Sequence, residues 1–188
     1  MFAQTDQPSG PAAPARRQLI TAGALALASF GVRPLIARAA DSDGISHSAA
    51  SIHQEPTFTA SRQRLYQALT DPKLFDQVVE LSGVMQTMKL HPKPGSELSP
   101  HLGSAFALFG GYITGRQVAL KQNELIVQAW RSASWPQGCY SIARFELVDH
   151  ESGSKIIFDH GGFPNDEADS LAAGWQANYW EPIRKLPS

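Results

Sequence analysis

Residues 140–180, YSIARFELVDHESGSKIIFDHGGFPNDEADSLAAGWQANYW, change hydrophobic period part-way along, and that change decides the fold. Tyr140 to Val148 and Lys155 to His160 read as strands flanking the hairpin turn Asp149-His150-Glu151-Ser152-Gly153. Beyond Gly161-Gly162-Phe163-Pro164 the repeat lengthens. Leu171, Trp175, Asn178, Tyr179, Pro182 and Leu186 fall near one face of a long helix. Pro182 lacks an N–H, so it bends that helix or confines it to its earlier part.

Working back toward the N-terminus, Leu125–Arg131 and Tyr112–Leu120 read as strands joined by the polar turn Lys121-Gln122-Asn123-Glu124. Ser104–Phe109 precedes a Gly110-Gly111 turn, and Val84–Leu90 reads as a further strand entering a Pro/Gly loop from His91 to Pro100. Upstream the spacing is helical. Ser61 is placed to cap a helix bearing Leu65, Tyr66, Ala68 and Leu69. Asp71-Pro72 stops it and opens a second helix with Leu74, Phe75, Val78 and Val79 as its apolar stripe, ended by Gly83. Ile52–Ala60 looks extended. A sheet with one apolar face needs a cover, and the C-terminal helix is the only element long enough to supply it. The expected fold is therefore α+β: a curved antiparallel sheet of about six or seven strands wrapped on a long C-terminal helix, with two short helices after the first strand. Such a sheet leaves a cavity beneath the helix.

The 188 residues suit one domain, and the net charge of −1 gives no polybasic field for nucleic acid. The charge is unevenly placed. Residues 1–39 hold Arg16, Arg17, Arg33 and Arg38 against Asp6, which leaves 12 basic and 16 acidic residues, net −4, beyond them. Arg16-Arg17-Gln18-Leu19-Ile20 opens an apolar run to Val32, and Ala37-Arg38-Ala39 has the small-x-small form that a signal peptidase binds. That run is shorter than the roughly 20 residues a membrane-spanning helix needs, so no permanent anchor is expected. The paired arginines resemble a twin-arginine (Tat) export signal, although Ala15 stands where Ser or Thr usually precedes them. An ordinary secretory signal is the alternative. The expected organisation is a signal peptide over 1–39, a small polar linker over 40–51 and a domain over 52–188. The Tat translocase is the partner during export, and the location is periplasmic or secreted. Cys139 is the only cysteine, so the domain must be stable without an internal disulfide.

The domain resembles the Hsp90-ATPase-activator-like branch of the START-related helix-grip superfamily (SRPBCC). The resemblance rests on Phe58-Thr59-Ala60-Ser61 through Asp71-Pro72, Gly110-Gly111-Tyr112-Ile113-Thr114-Gly115-Arg116, and Ile126–Arg131. It continues through Gly153-Ser154-Lys155, His160–Pro164 and Gly174-Trp175, in that order. Many relatives carry Trp near the start of the second helix, where this chain has Phe75-Asp76. The resemblance implies either an apolar ligand or chemistry in the cavity, or stimulation of a chaperone ATPase by direct contact. Export separates the protein from a cytosolic chaperone and disfavours the last.

The residues themselves carry no GxGxxG fingerprint, P-loop or HExxH, and the six histidines lack metal-ligand spacing. No cofactor, metal or catalytic residue is expected. Tyr112, Trp130, Trp175 and Tyr179 are candidates for the cavity wall, each offering an apolar body with one polar tip, although such aromatics are more often plain core. If Ile156 and Phe158 face inward, strand alternation turns His160 inward too, and Phe158 and His160 join the candidates for the cavity wall. There His160 could meet a ligand, act as an acid or base, or bond the backbone of the following loop. Arg116 could reach the same cavity or lie on a solvated sheet edge, as could Arg131. Trp135-Pro136 is expected to plug a loop or offer a hydrophobic handle. The favoured function is an exported protein binding an apolar or amphipathic small molecule. The alternatives are an interaction protein of the chaperone-activator type, or a cyclase- or hydrolase-like enzyme using His160.

Overall fold

The computed structural model describes residues 51–89, 95–164 and 166–187. The expected export signal, with Arg16, Arg17, Ala37 and Ala39, and the expected linker up to residue 50 lie outside the described residues. Strands β1 (Ser51–Gln54) and β2 (Thr57–Phe58) lead into helices α1 (Arg62–Thr70), α2 (Pro72–Glu80) and α3 (Gly83–Met88). Strands β3 (Ala105–Leu108), β4 (Ile113–Lys121), β5 (Leu125–Ser132), β6 (Ser141–His150) and β7 (Gly153–Gly161) follow. The chain ends in a continuous helical stretch: α4 (Ala168–Trp175), a π-helical turn (Gln176–Trp180) and α5 (Glu181–Lys185).

The strands form one seven-stranded antiparallel sheet in the order β1-β7-β6-β5-β4-β3, with β2 also paired to β7. A bulge between Gln117 and Ala119 bends β4. Alternation then sorts the side chains. Ser141, Ala143, Phe145 and Leu147 of β6 and Ser154, Ile156, Phe158 and His160 of β7 are buried on one face. The C-terminal helix covers that face. Its Trp175 ring centroid lies 4.5 Å from Phe158 and 5.6 Å from Phe145, and Trp180 is 5.2 Å from Phe158. Trp180 Nε1 also donates to Gln54 Oε1 at 2.6 Å, while Gln54 Nε2 donates to the Ala172 carbonyl at 3.1 Å, tying β1 to the helix.

The caps behave as their sequence suggests. Ser61 Oγ accepts from Arg64 N at 3.3 Å, and Asp71 Oδ1 accepts from Leu74 N at 3.0 Å with Pro72 at the first helical position. Pro182 does not end the helix. The π turn before it closes through the Glu181 N–H to the Gln176 carbonyl, a wider loop that carries the helical path past the residue that cannot donate.

One segment departs from expectation. The described part of the expected strand Val84–Leu90 is not a strand: Gly83–Met88 is helix α3, Gly83 begins it where it was expected to end α2, and Leu90 lies outside the described residues. Its anchor is distant. Asn178 Oδ1, from the C-terminal helix, accepts from Val84 N at 3.0 Å, and a Cβ on Gly83 would stand 3.2 Å from Ala177 Cβ. Asn178→Ala should therefore loosen α3 by about 1 kcal/mol, read as faster amide exchange at residues 84–88 with the sheet amides unchanged. Equal acceleration throughout the sheet would contradict this local role.

Candidate functional site

Helix α3, the ends of β4 and β5, the loop after β5 and helix α4 with its π turn enclose a cleft of about 590 Å³. Its size falls in the range of about 300–1,000 Å³ typical of small-molecule sites. Strand register brings Ile113 of β4 and Trp130 and Ser132 of β5 to its wall. The helical turn from Trp175 to Tyr179 supplies the opposite wall, and Phe109, Val84 and Met85 close one end. Phe75 of α2 backs Phe109 and Tyr179 edge-on, each at 5.7 Å between centroids. The mouth carries Met88, 62% exposed, and Tyr112, 54% exposed.

Tyr112, Trp130, Trp175 and Tyr179 line the cleft. Phe158, His160 and Arg116 do not. Phe158 faces inward but lies beneath Trp175 and Trp180, fully enclosed. Arg116 pairs with Ala129 one register step beyond the inward pair Gly115 and Trp130, so it projects outward, and its guanidinium donates to the Gly103 carbonyl. Arg131 also turns away, donating to the Trp135 carbonyl at 2.7 Å. This bond pins the loop that plugs the cleft with the buried Trp135, its ring 5.4 Å from Trp130. Sequence reasoning missed Met85 and Met88 because α3 was read as a strand. Ser132 was legible two residues beyond Trp130, on the same face of β5.

His160 sits one layer behind the cleft wall with no exposed surface. Trp175 Nε1 donates to His160 Nδ1 at 3.0 Å. An indole nitrogen can only donate, so Nδ1 carries no proton and the proton of the neutral ring is on Nε2. Nε2 lies 2.7 Å from Ser141 Oγ, whose own hydroxyl donates to the Trp130 carbonyl at 3.1 Å. Both ring nitrogens are therefore occupied, and burial pulls the imidazole pKa down to about 4. The expectation that His160 bonds the following loop is replaced by this relay, which joins β5, β6, β7 and α4. His160 has no exposed surface and is not among the residues lining the cleft, so neither ring nitrogen meets a molecule seated there.

The polar chemistry of the cleft is sparse. The Ser132 and Ser134 hydroxyls are 2.8 Å apart, and both draw the Tyr112 phenol below its ordinary pKa. Burial pushes the Tyr179 phenol well above its ordinary value, opposed only in part by the neighbouring Trp130 N–H. Among the described residues no group of three or more His, Cys, Asp or Glu side chains is placed to hold a metal ion. No described helix is long and apolar enough to cross a membrane.

The family model described as "Activator of Hsp90 ATPase homolog 1-like protein" matches residues 59–186. An uncharacterised protein of Schizosaccharomyces pombe is 29% identical over 155 residues, covering 80% of this chain and 42% of that protein. The activator of 90 kDa heat shock protein ATPase homolog 2 of Mus musculus is 28% identical over 123 residues, covering 63% and 37% respectively. The chain spans about two fifths of the length of these curated relatives. Among solved structures, an HSP90 activator from Plasmodium falciparum superposes with a TM-score of 0.59 at 21% identity, over 71% of this chain and 92% of that one. A protein from Mesorhizobium loti gives 0.56 at 19% identity, over 72% and 95%.

Proposed function

This chain belongs to the Activator of Hsp90 ATPase homolog 1-like family, and from the form of its cleft and the character of its leader we propose an exported protein that binds an apolar or amphipathic small molecule. The cleft of about 590 Å³ walled by Trp130, Trp135, Trp175, Tyr179 and Phe109 is the observation that carries the binding. An apolar molecule entering it exchanges water for aromatic surface at roughly 25 cal/mol per Å² buried. A smaller depression of about 350 Å³ between β2, α1 and α5 is lined by Arg64, His150, Glu151 and Arg184, a poorer match to an apolar guest. Export rests on the leader: Arg16-Arg17 before a short apolar run, with Ala37-Arg38-Ala39 after it. The occluded His160 supports binding over catalysis.

Native mass spectrometry of protein recovered from the periplasm tests both parts. A retained small molecule released under mild activation is expected, and an Arg16→Lys/Arg17→Lys variant should remain in the cytoplasm. Protein that is invariably empty, including after incubation with lipid extract, would remove the binding proposal. A variant exported as efficiently as the native leader would remove the twin-arginine route.

A second reading comes from the curated relatives, which include the activators of 90 kDa heat shock protein ATPase homolog 2 of Mus musculus and homolog 1 of Homo sapiens. Direct contact with such a chaperone is then the activity. Saturable stimulation of a purified Hsp90 ATPase by this chain would favour it over the small-molecule role.

A further inference from the structure

Four aromatic side chains with a polar atom line the buried part of the cleft, and they are not equally satisfied. Trp175 Nε1 is spent on His160. Trp130 Nε1, Trp135 Nε1 and the Tyr179 hydroxyl, on side chains only 4%, 4% and 5% exposed, have no hydrogen-bond partner among the described residues. A buried donor without an acceptor costs about 1–3 kcal/mol, so three around one cleft call for an explanation. The Trp130 N–H approaches the Tyr179 oxygen, which leaves the phenol's own proton without an acceptor.

The missing partner must accept hydrogen bonds, because an indole nitrogen offers only a proton. Its charge is constrained as well. Glu167 is the only charged residue among those lining the cleft, and no Lys or Arg is among them. A carboxylate would therefore be desolvated without a counter-ion and beside an acid, which is strongly unfavourable. A cation could pair with Glu167 but brings no acceptor for the indole N–H and phenol protons, which would stay unpaired. We infer that the ligand is a neutral, largely apolar molecule bearing a carbonyl-type oxygen, seated so that the two lone pairs of this oxygen take the protons of Tyr179 and Trp135. This inference rests on the binding function proposed above and narrows the class of guest. It separates ketones, esters, quinones and amides from fatty-acid anions and from plain hydrocarbons.

Three fluorescent probes on one ring system test it on the full chain: propionyl-dimethylaminonaphthalene (neutral carbonyl), dimethylaminonaphthalene (no carbonyl) and dimethylaminonaphthalene carboxylate (anionic). The carbonyl probe should bind at least about fivefold tighter than either of the others, the yield of one net hydrogen bond. Tyr179→Phe keeps the ring and should abolish most of that preference. The emission of the bound carbonyl probe should shift to the blue in the variant as its carbonyl loses a donor. Trp135→Phe gives the same test should the Tyr179 variant fold poorly. If the carbonyl and plain probes bind equally, the inference fails while apolar binding stands. Carboxylate binding as tight as the ketone also overturns it. If none of the probes binds, both the inference and the binding function fall.

Discussion

Replacing His160 with alanine is expected to lower the unfolding free energy by about 3–5 kcal/mol, the sum of a buried void and two polar groups left without their partner. Trp175 Nε1 would lose its acceptor and Ser141 Oγ its donor, in a layer with no water access. The same residue sets a pH dependence. Its pKa is about 4 in the folded protein against 6.5 unfolded, so between those values the unfolded chain holds the extra proton. The contribution of a neutral His160 is thus fully present above about pH 6.5 and is lost as the pH falls toward 4, worth about 3 kcal/mol in all. Exposed His53 works in the opposite sense, because Asp159, 2.7 Å away, raises its pKa. Urea titrations at neutral and acid pH resolve the two. His160→Gln can still accept from Trp175 and donate to Ser141 but does not titrate, so its stability should fall less on acidification. A pH slope identical in wild type and His160→Gln, or an alanine variant less than about 1 kcal/mol destabilised, would contradict the relay.

The relay also bears on function. It fixes the Trp175 indole, whose far side is cleft wall, and holds the Trp130 backbone opposite. The wall is therefore preorganised by buried polar bonds behind it, and binding need not order it. The rigid side comprises β5, α4 and the Trp135 loop. The open side is Met88, Tyr112 and α3, which presents no fully buried residue to hold it.

How much of this was legible follows from where the signals lie. The period switch after Pro164 declared the helix-on-sheet layout, and Ser61 and Asp71-Pro72 declared two helix starts, because caps act through neighbours two or three residues away. Helix α3 was not legible. Val84-Met85-Gln86-Thr87-Met88 is a short, mixed apolar run compatible with either period, and what secures its first turn is Asn178, 94 residues distant. The cleft aromatics Trp130, Trp175 and Tyr179 were legible from alternation and helical spacing. The same alternation put Phe158 and His160 on the right face of the sheet but could not say that Trp175 would roof them over. Depth beneath a covering helix depends on tertiary packing. Arg116 failed for a simpler reason, since it lies one step out of phase with Trp130's partner.

Two glycines within the family-like motifs are expected to be nearly irreplaceable, and for steric reasons unconnected with backbone freedom. Gly115 lies opposite Trp130, and a Cβ there would penetrate the Phe106 ring and the Ala129 carbonyl. Gly153 begins β7, and its Cβ would overlap the Phe58 carbonyl and come within 2.9 Å of Thr59 Cα. Carbonyl groups and Cα atoms cannot move aside by changing rotamer, so relief requires parting β4 from β5 or β2 from β7. Gly115→Ala and Gly153→Ala should each cost about 3 kcal/mol or more, at the upper end of overpacking effects. The two losses should separate in their consequences. Gly115→Ala displaces β5 at Trp130 and should weaken probe binding in the cleft, whereas Gly153→Ala strains the β2 end, away from the cleft, and should spare affinity in whatever fraction stays folded. Gly161→Ala is the control: its nearest neighbour to a new Cβ is Ser51 Cβ at 3.9 Å, an ordinary contact. It should change stability by no more than about 0.5 kcal/mol. Thermal and urea unfolding of the three variants, with probe affinity measured on the soluble fraction, decide the matter; equal stability across all three would refute the steric account.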